Sequence, residues 1–425
     1  MPTPKLAASA ASPPPTGPLA GVKVLDLTAV LMGPSATQTL AALGAEVIKI
    51  EPPDGDNVRN VGPMRNPGMG HIFLHVNSGK KSVVLDLKKP AGVAALLRLA
   101  EQTDVMISNV RPQAMARLGL DYAAVKARNP KIIYVSCVGF GQGGPYAAKP
   151  AYDDLIQGAV GVPWLMQRYR GPEPGYAPVT LADRVTGLHA VYAVTAALYA
   201  RERTGLGQMV EVPMFEALTQ FVMGDHLAGL TFAPPLDEGG KSSKGGKGGY
   251  GRLLTPHRRP YETSDGHLCV LIYNDKHWTS FFEAIGDPGG LSADPRFKSH
   301  QARSADIDWV YGQVANILRE RPTAHWQQLL DQADIPNMPI NSPEDLLNDA
   351  HLKAVGFFAE VEHPSEGKVH TMRTPTGWSA TPCSAPAPAP QLGEHTRAVL
   401  AEAGFSEAEI NEVCAPTQSS RGLAL

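Results

Sequence analysis

Cysteine is scarce in this chain. The four present, Cys137, Cys269, Cys383 and Cys414, lack the paired spacing of a zinc site or a redox dithiol. No disulfide framework is implied, and a reduced, cytoplasmic protein is expected. Long apolar runs are missing too: no stretch reaches the roughly 20 residues that cross a bilayer. Met1–Pro18, "MPTPKLAASAASPPPTGP", has no apolar segment of the signal-peptide kind and reads as a disordered leader. Neither sign of charge is in excess. A net charge of −3 argues against a general nucleic-acid binder, so any bound anion must be met by a local cluster. The serine-hydrolase elbow G-x-S-x-G is absent. The 13 histidines are scattered, so no metal site is expected, and His189 reads as a packed histidine before it reads as a base.

What is present is a globular composition, 43% apolar and 19% charged over 425 residues. That is too long for one simple core, and two domains are expected. Gly21–Leu27 reads as a buried strand. "GPSATQTLAALG" follows as a helix with Pro34 in its first turn and Gly44 at its stop, and Ala45–Glu51 as a second strand. The rhythm repeats through "KSVVLDL", "PAGVAALLRLAEQ", "DVMIS", "PQAMARLG" and "KIIYVSC", which predicts an α/β fold with a parallel sheet under helices. A long helix carries Val185, Leu188, Val191, Val194 and Leu198 at three- and four-residue steps, is expected to be buried on several sides, and stops at Gly205. Composition changes after Leu230, where "APPLDEGGKSSKGGKGGYG" leads into a strand and helix, "GHLCVLIYNDKHWTSFFEAIG". "GFFAEVEHPSEGKVHTM" predicts a hairpin, and "LGEHTRAVLAEAGFSEAEINEV" a helical tail.

The first strand–helix–strand unit ends in Glu51, where a dinucleotide fold places its ribose acid. Its loop, "TAVLMGPSATQ", has one glycine and not three. Glu51 is therefore expected to end a strand at the surface. Asp183 has two readings at the start of the long helix. It is an N-cap, worth about 1 kcal/mol, or a carboxylate kept ionised by the helix terminus and able to act as a nucleophile toward an activated acyl group. The glycine run Lys244–Gly251 is a linker, or a lid whose backbone N–H groups approach an anionic intermediate. Lys88, Lys89, Arg111 and Arg117 follow two strands, where open parallel sheets gather ligands; each alone reads as a solvated cation, and as a set they outline a phosphate site. Arg252, His257, Arg258 and Arg259 read as a basic turn, or as recognition of a second carboxylate.

Six ordered blocks resemble the class III CoA-transferases, the family that includes formyl-CoA transferase and carnitine CoA-transferase. They are "PLAGVKVLDLTAVLMGPSATQTLAALGAEVIKIEPP", "NSGKKSVVLDLKKPAG", "DVMISNVRPQAMARLGLDY", "GFGQGGPYAAKPAYDDLIQG", "LADRVTGLHAVYAVTAALYARERTGLGQMVEVPMFEAL" and "LGEHTRAVL". The likeness runs from about Pro18 to Val413. It implies that Asp183, in "LADRVTG", is the covalent nucleophile, forming acyl anhydride and CoA thioester intermediates in turn. It further implies CoA contacts at Val30, Leu31, Leu85, Asp86, Leu87, Lys88, Asn109, Val110, Arg111 and Arg117, and a glycine lid at Gly248 and Gly249. Leu31 and Pro52 depart from formyl-CoA transferase, which has glutamine and arginine there; this tells against a formyl or oxalyl substrate and implies one lost phosphate contact. Racemases of the same superfamily use a "GHD" motif. Here that place reads "AYDD", so Tyr152 replaces the histidine, as in formyl-CoA transferase, with Asp153 beside it. A tyrosine of pKa about 10 is a poor base at neutral pH.

The implied architecture is a Rossmann-like large domain formed by both chain ends, residues 19–229 and 343–425 after a leader at 1–18. A smaller α+β domain is inserted at 230–342, and two chains interlock as a homodimer. Coenzyme A enters as substrate and product, with no permanently bound cofactor, no nucleic acid and no membrane. Three functions are weighed: CoA transfer from an acyl-CoA such as succinyl-CoA to a free carboxylic acid, α-methylacyl-CoA racemisation, and non-catalytic acyl-CoA binding.

Overall fold

The computed structural model describes residues 16–237, 247–385 and 387–415. Most of the expected leader, and Lys244, Gly245 and Gly246 of the glycine run, lie outside the described residues. Within the described residues the chain divides into two compact units. One takes its residues from Met1–Ile156, Val179–Leu218 and Lys353–Leu425, the other from Gln157–Pro178 and Thr219–Leu352. The stretch Gln157–Pro178, which the expected single insertion did not include, thus groups with the second unit.

The alternating elements are β1 (Lys23–Leu27), α1 (Met32–Ala42), β2 (Glu46–Glu51), α2 (His71–Val76), β3 (Lys80–Val84), α3 (Pro90–Ala100), β4 (Val105–Ser108), α4 (Pro112–Arg117), α5 (Tyr122–Arg128), β5 (Ile133–Val138), α6 (Asp153–Ala159), α7 (Val162–Arg170), α8 (Leu181–Thr204), β6 (Gln208–Pro213) and α9 (Met214–His226). The six strands form one sheet in the order β3-β2-β1-β4-β5-β6, all parallel. Chain direction across the sheet reverses between β1 and β4, and such a switch opens a crevice beyond the carboxyl ends of those strands.

Successive strand residues point to opposite faces. One face carries Leu25, Ile48, Ile50, Val83 and Met106 and is closed by Leu96 and Leu99 of α3. Val399, Leu400 and Ile410 of two C-terminal helices, Thr396–Glu402 and Glu407–Cys414, complete that core. The alternate positions put Asp26, Lys49, Glu51, Lys80 and Ser82 on the other face, all buried. Their charges are paired: Lys80 Nζ lies 2.9 Å from Asp26 Oδ2, and Lys49 Nζ lies 2.9 Å from Asp56 Oδ2. Arg59 grips both oxygens of Glu51 at 2.7 Å. The expectation of a surface Glu51 is therefore corrected. Glu51 is 1% exposed; burial pushes its carboxyl up, but hydrogen bonds and charge from Arg59 outweigh that and hold it below the usual range. Asp26 is held near 2: burial opposes ionisation, and Lys80 and Lys49 overcome it.

Helix α8 crosses α1 closely because position 187 is glycine. A Cβ there would sit 2.6 Å from Ser35 Oγ and 3.0 Å from the Met32 carbonyl oxygen. The expected burial of α8 on several sides is met only in part within the chain. Val185, Val194 and Leu198 are buried, but Leu188, Tyr192 and Tyr199 are 63%, 56% and 66% exposed. They recur at helical spacing and form an outward apolar stripe.

Within the second unit, Tyr261–Glu262, His267–Val270 and Asn337–Pro339 form a three-stranded antiparallel sheet. Trp278, Phe281 and Phe282 pack there with Phe297, Val310, Val314 and Trp326. The predicted hairpin is present in the first unit, Phe358–His363 against Gly367–Met372.

Candidate active site

Three loops leave the sheet beside its switch point and, with the start of α8, line a cavity of about 340 Å³. The loop after β1 gives Ala29, Val30 and Leu31, the loop after β4 gives Asn109, Val110 and Arg111, and the loop after β5 gives Lys149 and Tyr152, with Asp153 at the start of α6. Asp183 completes the lining.

The β1 loop is held from several sides. Asn109 clamps Ala29, accepting its N–H at 3.0 Å and donating to its carbonyl at 2.8 Å. Lys49 donates to the Thr28 carbonyl at 2.8 Å, and the Val30 N–H donates to Asp56 Oδ1 at 3.1 Å. Between these contacts Val30 has φ +70°. A β-branched residue is strained there, and such strain persists only where the surroundings over-determine the backbone. The buried Lys49–Asp56 pair thus reaches the cavity wall through two main-chain bonds.

Asp183 is not an N-cap. Thr180 occupies that position without a side-chain cap bond, and Asp183 is the third residue of α8. The bond runs the other way: the Asp183 N–H donates to Asp153 Oδ1 at 2.9 Å. The helix terminus favours the anion, as expected, but two larger effects oppose it. Burial, and then the Asp153 charge, push the Asp183 carboxyl up to about 7, with Arg184 acting the other way. At neutral pH the group therefore divides between acid and anion.

Other lining groups constrain the chemistry. Burial pushes the Cys137 thiol up to about 12, so it stays protonated. Tyr152 is 67% exposed. No residue of the lining is a histidine. Two cations face the space, Arg111 and Lys149, with Lys149 Nζ 3.9 Å above the Tyr146 ring. Among the described residues no group of His, Cys, Asp and Glu could hold a metal.

The structure thus gathers Asp183, Tyr152, Asp153, Val30, Leu31, Asn109, Val110 and Arg111 in one lining. It leaves five expected CoA contacts outside it. Leu85 is buried in the sheet core and Leu87 packs beside it. Asp86 Oδ1 accepts from the Lys88 N–H at 3.0 Å, and Lys88 and Arg117 are exposed. Gly248 and Gly249 fall in the second unit. Gly249 has φ +107°, which favours glycine, and its N–H already donates to the His226 carbonyl at 2.8 Å. His189 Nδ1 pairs with Tyr192 Oη at 2.5 Å and is not part of the lining. Sequence reasoning missed Lys149, Cys137, Gln142 and Met214; the loop following β5 was the available signal for Gln142 and Lys149, while Cys137 lies in β5 and Met214 starts α9.

A family model described as CoA-transferase family III matches residues 19–396. The succinate–glutarate CoA-transferase of Agrobacterium fabrum is 34% identical over 91% of this chain and 95% of its own length. The formyl-CoA:oxalate CoA-transferase of Escherichia coli is 33% identical, covering 92% of this chain and 97% of that protein. Among solved structures, a CAIB/BAIF family protein from Brucella suis has a TM-score of 0.75 at 32% identity, covering 91% of this chain and 100% of that one. A Mycobacterium tuberculosis protein has a TM-score of 0.76 at 29% identity, covering 90% of this chain and 99% of its own.

Proposed function

The chain belongs to CoA-transferase family III, and from that premise we propose that it moves CoA from an acyl-CoA, succinyl-CoA first among them, to a free carboxylic acid, with Asp183 as the covalent carrier. The observation that carries this reading is one half-buried carboxylate, brought to about 7, in the lining of a cavity that also holds Arg111 and Lys149.

The ionised Asp183 attacks the donor thioester carbonyl and expels CoA thiolate, leaving an acyl–aspartyl anhydride. The thiolate attacks the aspartyl carbonyl, releases the donor carboxylate and forms an aspartyl-CoA thioester. The acceptor carboxylate attacks that carbonyl, expels the thiolate and forms a second anhydride. The thiolate then attacks the acceptor acyl carbonyl, and Asp183 leaves as carboxylate. Every step exchanges one acyl bond for another, so thioester energy is retained if water stays out. Arg111 is assigned to CoA phosphate, with Lys88 and Arg117 further along the same ligand. Tyr152 and Asp153 flank the nucleophile, and Gly248 and Gly249 are assigned the family's lid role.

The relatives named for succinate and glutarate support a dicarboxylic acceptor, and Leu31 in place of glutamine favours a body larger than formate. A homodimer is supported by the exposed Leu188, Tyr192 and Tyr199 on α8, a stripe that a second chain would cover. The racemases of this superfamily pair their aspartate with a histidine, and the lining holds none.

The test mixes the purified protein with succinyl-CoA and a panel of free mono- and dicarboxylates, and seeks new acyl-CoA masses. A new thioester requiring both substrates, and absent with Asp183→Ala, is expected. Solvent deuterium at the α-carbon of a 2-methylacyl-CoA without any acceptor acid would replace transfer with racemisation.

A further inference from the structure

The second unit holds a cavity of its own, of about 370 Å³. Its walls divide into two kinds of surface. Tyr261, Ile272, Trp278, Tyr311 and Val314 are all under 9% exposed and present an aromatic and aliphatic floor. Arg252, Arg258 and Arg259 line the same cavity, and no aspartate or glutamate does. Arg252 is oriented from both sides: its Nε donates to Tyr311 Oη at 3.0 Å, and its guanidinium lies 5.7 Å from the centroid of the Tyr273 ring. The backbone that carries Arg258 is tied by Tyr169, whose hydroxyl donates to the Arg258 carbonyl. The guanidinium groups of Arg258 and Arg259 have no carboxylate partner among the described residues.

Three guanidinium groups lining an acid-free cavity give it a positive potential that favours an anion. Guanidinium matches a carboxylate in a planar, two-pronged way that lysine does not. An inorganic anion would satisfy the rim and leave the floor wet; an anion with an apolar body uses both. We propose that this cavity binds a free organic carboxylate that carries an aromatic or branched apolar body, its carboxylate on Arg252, Arg258 and Arg259 and its body on the Tyr261–Trp278 floor. The site belongs to the second unit and contains none of the residues assigned to acyl transfer. It would let a carboxylic acid bind without turnover, and the inference stands or falls independently of the transfer chemistry.

The experiment is isothermal titration of the full-length protein with phenylacetate, acetate and inorganic phosphate in turn, repeated with coenzyme A to ask whether the cavity instead takes a cofactor phosphate. Phenylacetate is expected to bind at least ten-fold more tightly than acetate or phosphate. The double variant Arg258→Gln/Arg259→Gln, at two exposed positions, is expected to weaken phenylacetate at least ten-fold with thermal stability unchanged. Asp183→Ala is expected to leave that affinity unaltered, which separates this cavity from the one at the sheet. Equal affinity in the double variant, acetate binding as well as phenylacetate, or loss of phenylacetate binding in Asp183→Ala would each overturn the proposal. So would coenzyme A binding that depends on Arg258 and Arg259 and displaces phenylacetate.

Discussion

Replacing Asp183 by asparagine should make the protein more stable at pH 8 and change it little near pH 4. The carboxyl titrates at about 7 in the folded protein against an ordinary 3.8. Between those values the folded chain keeps a proton that the unfolded chain releases. Stability therefore falls as pH rises across that window, by up to 1.36 kcal/mol per pH unit. Well below 3.8 the group is neutral in both states and costs nothing. Above pH 7 the full penalty is present, at most about 4 kcal/mol. Asparagine has nearly the same shape and no charge, and the bond from the residue-183 N–H to Asp153 is a main-chain bond that survives the change. Urea denaturation at pH 5 and pH 8, at one protein concentration, measures the difference. The variant should gain about 2–4 kcal/mol over the parent at pH 8, and much less at pH 5. Parallel curves at the two pH values, or a variant less stable at pH 8, would refute the claim that burial and Asp153 hold Asp183 in an unfavourable charge state.

The same titration governs rate. Transfer at low substrate should rise with pH through about 7, as Asp183 ionises, and Asp153→Asn should move that midpoint down, because burial remains and the neighbouring charge is gone; a pH–rate profile of both proteins decides it. Asn109→Ala removes both bonds to Ala29, worth about 1–3 kcal/mol together, and should raise KM for acyl-CoA more than it lowers kcat in steady-state assays. Lys49→Met leaves Asp56 buried and unpaired, and should cost about 3–5 kcal/mol, read as a lower Tm and a lower urea midpoint, with Lys49→Arg milder.

Much of the large sheet was legible because its strands are short apolar runs separated by helical periods, a pattern that survives without knowing any contact. The buried charges were not. Lys80 meets Asp26, and Arg59 meets Glu51, across gaps in sequence that no local pattern joins, so Glu51 looked like an ordinary strand end. Asp183 was found as a helix-start carboxylate, but its exact helical position was missed: Thr180, with Asp183 three residues on, is itself a helix-start pattern that was passed over, and the true partner of Asp183, Asp153, lies 30 residues upstream. Helices α6 and α7 were overlooked because Gly158, Gly161 and Pro163 punctuate them as a loop would. Leu188 fits the helical period yet faces outward, since periodicity identifies an apolar stripe and not what covers it.

The measurement that bears most directly on the central claim is chemical trapping of the carrier. The protein is incubated with succinyl-CoA alone, treated with borohydride or hydroxylamine, digested and mapped by mass. An aspartyl thioester should be reduced to the alcohol or converted to the hydroxamate at Asp183, only when succinyl-CoA is present, and added acceptor acid should discharge it. An unmodified Asp183 in a preparation that is transferring CoA, or a label on another residue, would contradict the account.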